Sequence, residues 1–225
     1  MTDFDTICNE VQKKKRTYRP MSPEIVLTSS FYFDDFNEYA EATSNEFEHY
    51  VYTRGTNPTT ELLEEKLAKM EEGERCKVFA SGMGAISATF FTMLKANDHV
   101  IFVNTVYGTT VSLIRYMERY QISYDIVNST DTDVILSYIK DETHIIYMES
   151  PSSQKFELID LEAIAKVAKQ KDIITVIDNT WATPIYQRPL VHGIDIVIHS
   201  CSKYIGGHSD IVAGAVISSK QTVEL

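Results

Sequence analysis

The sequence predicts a doubly wound α/β fold built on a mostly parallel sheet. Two runs, Ile145–Met148 and Ile173–Ile177, are apolar at nearly every position, which is typical of strands buried on both faces of a sheet. Between them, four apolar residues recur at i, i+3, i+4 and i+7, the spacing of one stripe of a helix that crosses over between parallel strands. These residues are Leu161, Ile164, Ala165 and Ala168.

From residue 57 onward, short β-rich runs alternate with helical patterns. The first helix is predicted to begin at Asn57-Pro58, because asparagine is a favoured N-cap and proline suits the first helical position. We expect Gly73 to end it. The predicted strands are Cys76–Ala80, His99–Asn104, Ser123–Asn128, His144–Glu149, Ile173–Asn179, Asp195–Ser200 and Ile211–Ser218.

Residues 1–50 have a different character. They contain a basic run, Lys13–Arg16, two prolines, and an aromatic and acidic stretch, Phe31–Tyr50. Because the basic run has acidic neighbours, we interpret it as a solvated face rather than a nucleic-acid or targeting patch. This segment is predicted to be an extended arm, some of whose aromatic side chains pack against another surface.

Composition excludes several classes of function. The 225 residues carry 21 Lys and Arg against 32 Asp and Glu, a net charge of −11, so general binding to nucleic acid or to an anionic membrane is not expected. No apolar run approaches the ~20 residues needed to span a bilayer, and the acidic N-terminus does not resemble a secretory signal. Three widely spaced cysteines, Cys8, Cys76 and Cys201, indicate a reducing, cytoplasmic setting.

Glycines are concentrated where parallel sheets bind ligands, beyond the carboxyl ends of the strands. Five of the nine glycines follow predicted strands: Gly82, Gly84, Gly108, Gly206 and Gly207. The segment Ser81–Ala85 also opens a helix, so its backbone N–H groups can bind an anion such as a phosphate. The alternative is a tight turn between strand and helix.

Asp178 ends a buried apolar strand. A carboxylate in that position is costly unless it meets a partner. The partner could be a metal, a catalytic histidine or a cationic ring nitrogen. The alternative is that Asp178 caps the following segment.

Lys203 follows another apolar strand and is flanked by Ser200, Ser202 and two glycines. A desolvated lysine has a lowered pKa and becomes a nucleophile toward carbonyl groups, and the two serines can donate to a phosphate beside it. A surface lysine on a loop fits this context poorly. His199 and His208 have no recognisable metal-ligand spacing, so no metal is predicted.

Together, these three segments indicate a phosphate-bearing aldehyde bonded to a lysine, with an acid on its ring nitrogen. Pyridoxal 5′-phosphate (PLP) has these properties, and its usual protein partners are a Schiff-base lysine and an aspartate on the pyridinium nitrogen.

Six motifs then resemble, in order, the Cys/Met-metabolism (trans-sulfuration) family of PLP-dependent enzymes, which includes cystathionine γ-synthase, cystathionine and methionine γ-lyases and homoserine-ester sulfhydrylases. The resemblance extends from about Tyr52 to the C-terminal end. The motifs are Tyr52–Thr59, Ser81–Ala85, Tyr107–Thr110, Glu149–Pro151, Asp178–Thr180 and Ser200–Asp210. The resemblance implies the aspartate aminotransferase-like fold (fold type I), with residues 56–225 as the PLP-binding large domain and residues 1–55 as an arm at a dimer interface.

The resemblance also implies roles for individual residues. Lys203 is similar to the Schiff-base lysine that shuttles protons, Asp178 to the partner of the pyridine nitrogen, and Tyr107 to the aromatic that stacks on the cofactor ring and exchanges a proton with the leaving group. The residues similar to phosphate ligands are Gly82, Met83, Ser200 and Ser202.

Tyr52 and Arg54 resemble residues that reach the phosphate of the neighbouring subunit. A homodimer would then be the smallest complete site, within a homotetramer. Two departures from the family pattern stand out. Ser153 occupies the place of an asparagine that bonds the cofactor's phenolic oxygen, and the chain ends at Leu225, so the small C-terminal domain with its substrate-binding arginine is not expected in this chain.

The resemblance implies an enzyme of amino-acid biosynthesis, a lyase or transferase acting at the γ or β carbon of a sulfur amino acid or an activated homoserine. Lys203 would remove the α proton, a β proton would follow, and the γ substituent would leave. The alternative hypothesis is a truncated, noncatalytic PLP-fold protein that acts as a binding or assembly partner.

Overall fold

The computed structural model describes residues 4–9, 20–103 and 105–225. Each of the seven predicted runs forms a strand, with ends that differ by up to three residues; Asn104, the predicted end of the second, lies outside the described residues. The strands are β1 (Arg75–Phe79), β2 (His99–Val103), β3 (Ser123–Val127), β4 (Thr143–Glu149), β5 (Ile174–Asp178), β6 (Ile196–His199) and β7 (Gly214–Ser218).

The strands form one mixed, mostly parallel sheet in the order β1-β7-β6-β5-β4-β2-β3. Strands β2 to β6 pair in parallel, whereas β7 is antiparallel to both of its neighbours. The register places Glu149 beside Asp178 and Asp178 beside Ile198. The carboxyl ends of the central strands therefore meet at one edge, as the predicted α/β fold requires.

Helices cover both faces of the sheet. One buried cluster includes residues of α3, α6 and α7, and the other includes residues of α4 and α5. All four residues of the predicted crossover stripe, Leu161 to Ala168, are buried, which confirms that helix. The helices are α1 (Phe4–Asn9), α2 (Phe36–Ser44), α3 (Pro58–Glu71), α4 (Gly82–Met93), α5 (Gly108–Met117), α6 (Thr132–Leu136), α7 (Leu161–Gln170), α8 (Thr183–Tyr186) and α9 (Lys220–Val223), with 3-10 turns at Glu118–Tyr120 and Pro189–His192. No helix in the described part of the chain is long and apolar enough to cross a membrane.

Helix α3 begins as predicted but ends differently. Asn57 caps it by accepting the N–H of Thr59 at 2.8 Å, and Pro58 is its first residue. The left-handed residue at its end is Glu72, with φ of 59°, not Gly73. Gly73 is required for space instead, because a Cβ atom there would lie 2.4 Å from Cγ2 of Ile217.

The predicted extended arm is partly helical, which corrects that prediction. Helix α2 is capped by Asp35, which accepts the N–H groups of Asn37 and Glu38, and the Glu38 side chain accepts the N–H of Asp34, the residue before the cap. Helix α1 packs against α3. The predicted solvated run Lys13–Arg16 lies outside the described residues.

Candidate active site

The amino end of α4 lies against the segment that follows β6 and against the first residue of β7. A Cβ atom on Gly82 would lie 2.8 Å from Cβ of Ser200, and one on Gly214 would lie 2.2 Å from the carbonyl oxygen of Ser81. Only glycine permits this approach of backbone to backbone. The sequence pattern points to Gly82 but not to Gly214, whose partner Ser81 is more than a hundred residues away.

The first turn of α4 has two N–H groups free for a ligand. Ser81 accepts the N–H of Gly84 through its hydroxyl and that of Ala85 through its carbonyl. A helix supplies no internal acceptor for its first N–H groups, so those of Gly82 and Met83 remain available, within the described residues, to bind an anion at the positive end of the helix.

Asp178 ends β5 beside this helix end. Its Oδ1 accepts the N–H of Thr180 at 3.0 Å, and the Thr180 hydroxyl accepts the N–H of Ser200 at 2.8 Å. The capping alternative is therefore present locally. Burial raises the pKa of Asp178, while the hydrogen bonds from Thr180 and the nearby imidazole of His199 lower it. Asp178 forms no ion pair with a described residue and remains partly accessible, which suits a cationic ring N–H as its partner.

Lys203 lies in a turn directly after β6. Its N–H donates to the carbonyl of Ser200 at 3.0 Å, and its carbonyl accepts the N–H of Gly207 at 2.8 Å. Gly207 has φ of +80°, and a Cβ atom on Gly206 would lie 2.7 Å from the Ile211 side chain, so both glycines are needed to form the turn.

The Lys203 side chain is exposed, whereas we expected a desolvated lysine. Its neighbours in the turn, Tyr204 and Ile211, are exposed as well. The described residues therefore do not remove water from the amine, and desolvation would require a ligand or a further polypeptide segment.

The two serines beside Lys203 differ in what they contact. The Ser202 hydroxyl accepts the N–H of Ala213 at 3.0 Å and donates to its carbonyl at 3.3 Å, so it joins the turn to the segment before β7. The Ser200 hydroxyl lies over the first residue of α4, 3.0 Å from where a Gly82 Cβ would be. Of the two, Ser200 is the better placed for a ligand at the helix end.

Tyr107 is held by an acid for which the sequence analysis proposed no role. Its N–H donates to Oε1 of Glu149 at 2.5 Å, and the Ser153 hydroxyl donates to Oε2 at 2.6 Å. Glu149 is buried, and burial, with the neighbouring Asp178 carboxylate second, raises its pKa to about 7. The sequence contains a pattern that indicates such a role, because Glu149 ends an apolar strand just as Asp178 does.

Tyr52 and Arg54 are not joined to these residues in the single chain. Both are exposed, and the Arg54 guanidinium lies 5.2 Å from the centre of the Tyr52 ring. With Leu27–Ser29 they line an open cavity of about 540 Å³. They therefore form a separate surface on the arm.

The histidines take structural positions. His199 is buried against Glu71, and the exposed His208 ring lies 3.2 Å from the carbonyl oxygen of Gly206. No group of three or more His, Cys, Asp or Glu side chains in the described ranges could hold a metal ion.

The mixed, mostly parallel α/β sheet is the aspartate aminotransferase-like fold of PLP-dependent enzymes. The residues present fit the cofactor: Gly82 lets the helix end form a cradle that a Cβ atom would fill, and Asp178 is an acid with no ion-pair partner among the described residues. The model of the Cys/Met metabolism PLP-dependent enzyme family matches residues 5–225, and the chain belongs to this family.

Similar proteins agree with this assignment. An L-methionine gamma-lyase of Fusobacterium nucleatum is 41% identical over 93% of this chain and 54% of its own length. A cystathionine beta-lyase of Staphylococcus haemolyticus is 46% identical over 77% of this chain and 44% of its own. A putative O-acetylhomoserine (thiol)-lyase of Campylobacter jejuni, solved with N′-pyridoxyl-lysine-5′-monophosphate, superimposes with a TM-score of 0.91 at 29% identity, covering 100% of this chain and 55% of that one. The chain spans about half the length of the curated relatives it matches.

Proposed function

We propose that this chain is the PLP-binding part of a trans-sulfuration enzyme that acts at the γ or β carbon of a sulfur amino acid or an activated homoserine. The observation that carries the proposal is the convergence of the α4 helix end, Asp178 and the Lys203 turn at one edge of the sheet. The names of the similar lyases support the substrate class. Residues 56–225 would be the PLP-binding large domain.

Each contact of the cofactor has a residue to provide it. The N–H groups of Gly82 and Met83 and the Ser200 hydroxyl would bind the phosphate, and Ser202 would join them if its bond to Ala213 opened. Asp178 would bind the ring N–H, and Lys203 would hold the cofactor covalently. The Tyr107 ring, 52% exposed at the cleft, would stack on the cofactor ring.

PLP, when bound, supplies an electron sink for the carbanion at the substrate's α carbon. The Lys203 amine would take the α proton and return it at a later position, which general acid–base catalysis requires of a group within reach of the reacting atoms. The Asp178 carboxylate would keep the ring nitrogen protonated, an electrostatic role. The Tyr107 hydroxyl would donate a proton to the leaving sulfur or oxygen.

The proposed assembly is a homodimer as the minimal site, within a homotetramer, in the cytoplasm. Residues 1–55 would be the arm at the dimer interface, and Tyr52 and Arg54 would reach the phosphate of the other subunit. The exposure of Met21 and Leu27, at 91% and 95%, supports a contact surface there, because large apolar side chains concentrated on one segment mark interfaces.

A second candidate is a noncatalytic PLP-fold protein that serves as a binding or assembly partner. One observation favours it. Ser153 stands where the family has an asparagine, and its hydroxyl is bonded to Glu149 at 2.6 Å, so it is not free to donate to a cofactor oxygen.

Borohydride reduction of the PLP-loaded protein tests the cofactor site. We expect the reduced adduct on Lys203, found by peptide mapping, and none in Lys203→Ala. An adduct on another lysine, such as the exposed Lys220, would overturn the assignment. Product formation from a panel of L-cystathionine, L-methionine and O-acetyl-L-homoserine, followed as ammonia, 2-oxobutyrate and cystathionine, would exclude the noncatalytic candidate, because a protein that only binds PLP forms none of these products.

A further inference from the structure

Glu149 contacts two separate loops at the carboxyl edge of the sheet through its two carboxylate oxygens. Oε1 accepts the N–H of Tyr107, which follows β2. Oε2 accepts both the hydroxyl and the N–H of Ser153, which follows β4, at 2.6 and 3.3 Å. Glu149 is 3% exposed, whereas Tyr107 is half exposed and Ser153 is exposed. The acceptor of these bonds is therefore buried, and bonds to an ionised acceptor are stronger than those between neutral groups.

Tyr107 depends on Glu149 for its position. It is the residue before α5, and no side chain caps that helix. The Glu149 carboxylate takes the place of a cap, because it accepts an N–H at the positive end of the helix. The Tyr107 ring itself is half exposed. Its carbonyl accepts the N–H of Thr110 at 2.9 Å within α5, so the bond to Glu149 fixes the other side of the Tyr107 backbone.

We propose that Glu149 is a positioning residue, whose ionised carboxylate fixes Tyr107 over the cofactor cleft and whose protonation loosens that contact. The proposal deepens the proposed function, since it rests on Tyr107 facing the cofactor ring. The contact between Glu149 and the backbone of Tyr107, however, is also expected in the protein without cofactor.

The charges around Glu149 explain why both protonation states are accessible. Asp178 lies beside it on β5, and the phenol of Tyr147 lies on the same face of β4. With burial and Asp178 raising its pKa to about 7, Glu149 gains and loses its proton near neutrality. When it is protonated, the Ser153 hydroxyl is the acceptor within reach, and the Tyr107 N–H then meets a neutral carboxyl, a weaker acceptor.

The amide proton of Tyr107 reports this state directly. We would label the full chain with ¹⁵N-tyrosine, assign the Tyr107 signal by its loss in Tyr107→Phe, and follow it across neutral pH without and with PLP. In the cofactor-free protein we expect a strongly downfield amide proton that moves upfield on acidification with a midpoint near 7. Glu149→Gln should hold the signal at the acid-limit position at every pH.

PLP affinity provides the second readout. We expect Glu149→Gln to bind PLP about tenfold more weakly than the parent on the alkaline side, the effect of one charge-assisted hydrogen bond, and equally on the acidic side. Ser153→Ala should raise the midpoint of the Tyr107 titration, because the Ser153 hydrogen bond lowers the pKa of Glu149. The matched control is Glu157→Gln, which removes an exposed acid from the same loop and should change neither readout.

The outcomes separate this inference from the proposed function. A Tyr107 amide that does not titrate, or that titrates unchanged in Glu149→Gln, overturns the positioning role even if PLP binds. Equal PLP affinities of parent and Glu149→Gln at alkaline pH overturn the link to the cofactor. Failure of the parent chain to bind PLP overturns the proposed function, while a titrating amide would still establish the contact with Tyr107.

Discussion

The Nε2 atom of His199 lies 2.5 Å from Oε1 of Glu71, and both side chains are about 1% exposed. The same Glu71 oxygen accepts the side-chain N–H of Asn179 at 2.8 Å. Because Asn179 follows Asp178 and His199 precedes Ser200, these buried bonds connect the end of α3 to the two strand ends that carry the site. Gln187 extends the connection by donating to Asn179 and to the carbonyl of Ser150.

This connection predicts a large loss of stability in Glu71→Ala. Removing one partner leaves a buried imidazole and a buried amide without their acceptor, and breaking such a pair costs about 3–5 kcal/mol. Urea unfolding followed by fluorescence measures the change. Glu41→Ala on the exposed side of α2 is the control and should change the free energy of unfolding by about 0.5 kcal/mol or less. Equal losses in the two variants would contradict the proposed importance of the buried pair.

The sequence predicted the sheet well because a buried parallel strand leaves a local pattern. β-rich runs located all seven strands, and the structure places Asp178 at the end of β5 and Lys203 in the turn after β6. The stripe from Leu161 to Ala168 worked for the same reason, since helical spacing is read within ten residues.

Contacts between distant residues left no such pattern. Glu71 and His199 are 128 positions apart, and no sequence motif around either residue indicates a contact with the other. In the sequence, Gly214 resembles any other glycine in a strand. The structure shows that the carbonyl of Ser81 lies too close to it for a side chain. The exposure of Lys203 likewise depends on which chain segments cover its turn, and the strand pattern does not encode that.

Gly82→Ala should weaken phosphate binding at the start of α4. The added methyl would lie 2.8 Å from Cβ of Ser200, so the helix end and the Ser200 loop must separate. We expect affinity for PLP to fall by about tenfold or more, because an anion site depends on converging N–H groups. Equilibrium dialysis measures it. Gly108→Ala is the control, since a Cβ atom there meets nothing within 4 Å; an equal loss in both variants would show that the close approach at Gly82 is not what matters.

Asp178→Asn tests the ring contact. The amide cannot hold a ring proton by charge, and losing a buried ionic contact of about 3–5 kcal/mol corresponds to two to four powers of ten in affinity or turnover. PLP affinity and turnover are both measured. Asp160→Asn is the matched control, because Asp160 caps α7 and asparagine caps helices equally well. Near-normal behaviour of Asp178→Asn would leave its bond to Thr180 as its only role.

Hybrid dimers test the proposed placement of Arg54. If Arg54 acts on the phosphate of the other subunit, mixing Arg54→Ala with Lys203→Ala protein creates one site in which both residues are intact. We expect the mixture to regain part of the PLP bound as a reducible adduct or, where turnover is measurable, part of the activity. Lys220→Ala mixed with Lys203→Ala is the control, since Lys220 forms ion pairs with Glu48 and Glu224 far from the Lys203 turn in sequence. Verified hybrids without recovery would place Arg54 at its own subunit's site or at none.

The pH dependence of unfolding provides a last test, on the cofactor-free chain. Burial raises the pKa of Glu149 from 4.5 to about 7, so between these values the folded chain binds more protons at this residue than the unfolded chain does. Stability must therefore fall as pH rises through this range, and the full shift corresponds to roughly 3 kcal/mol.

Glu149→Gln carries no titrating group at this position. The difference in unfolding free energy between the variant and the parent should therefore change in the variant's favour by up to roughly 3 kcal/mol from pH 4.5 to above 7, as measured by urea unfolding in a pH series. Asp178 and the other groups that titrate in both proteins contribute equally to the two free energies of unfolding, so their contributions cancel in the difference. Glu157→Gln, at an exposed site in the same loop, should give a flat difference. A flat difference for Glu149→Gln as well would mean that the folded and unfolded chains bind protons equally at Glu149, with the Tyr107 and Ser153 hydrogen bonds offsetting the cost of its burial so that its pKa is not raised.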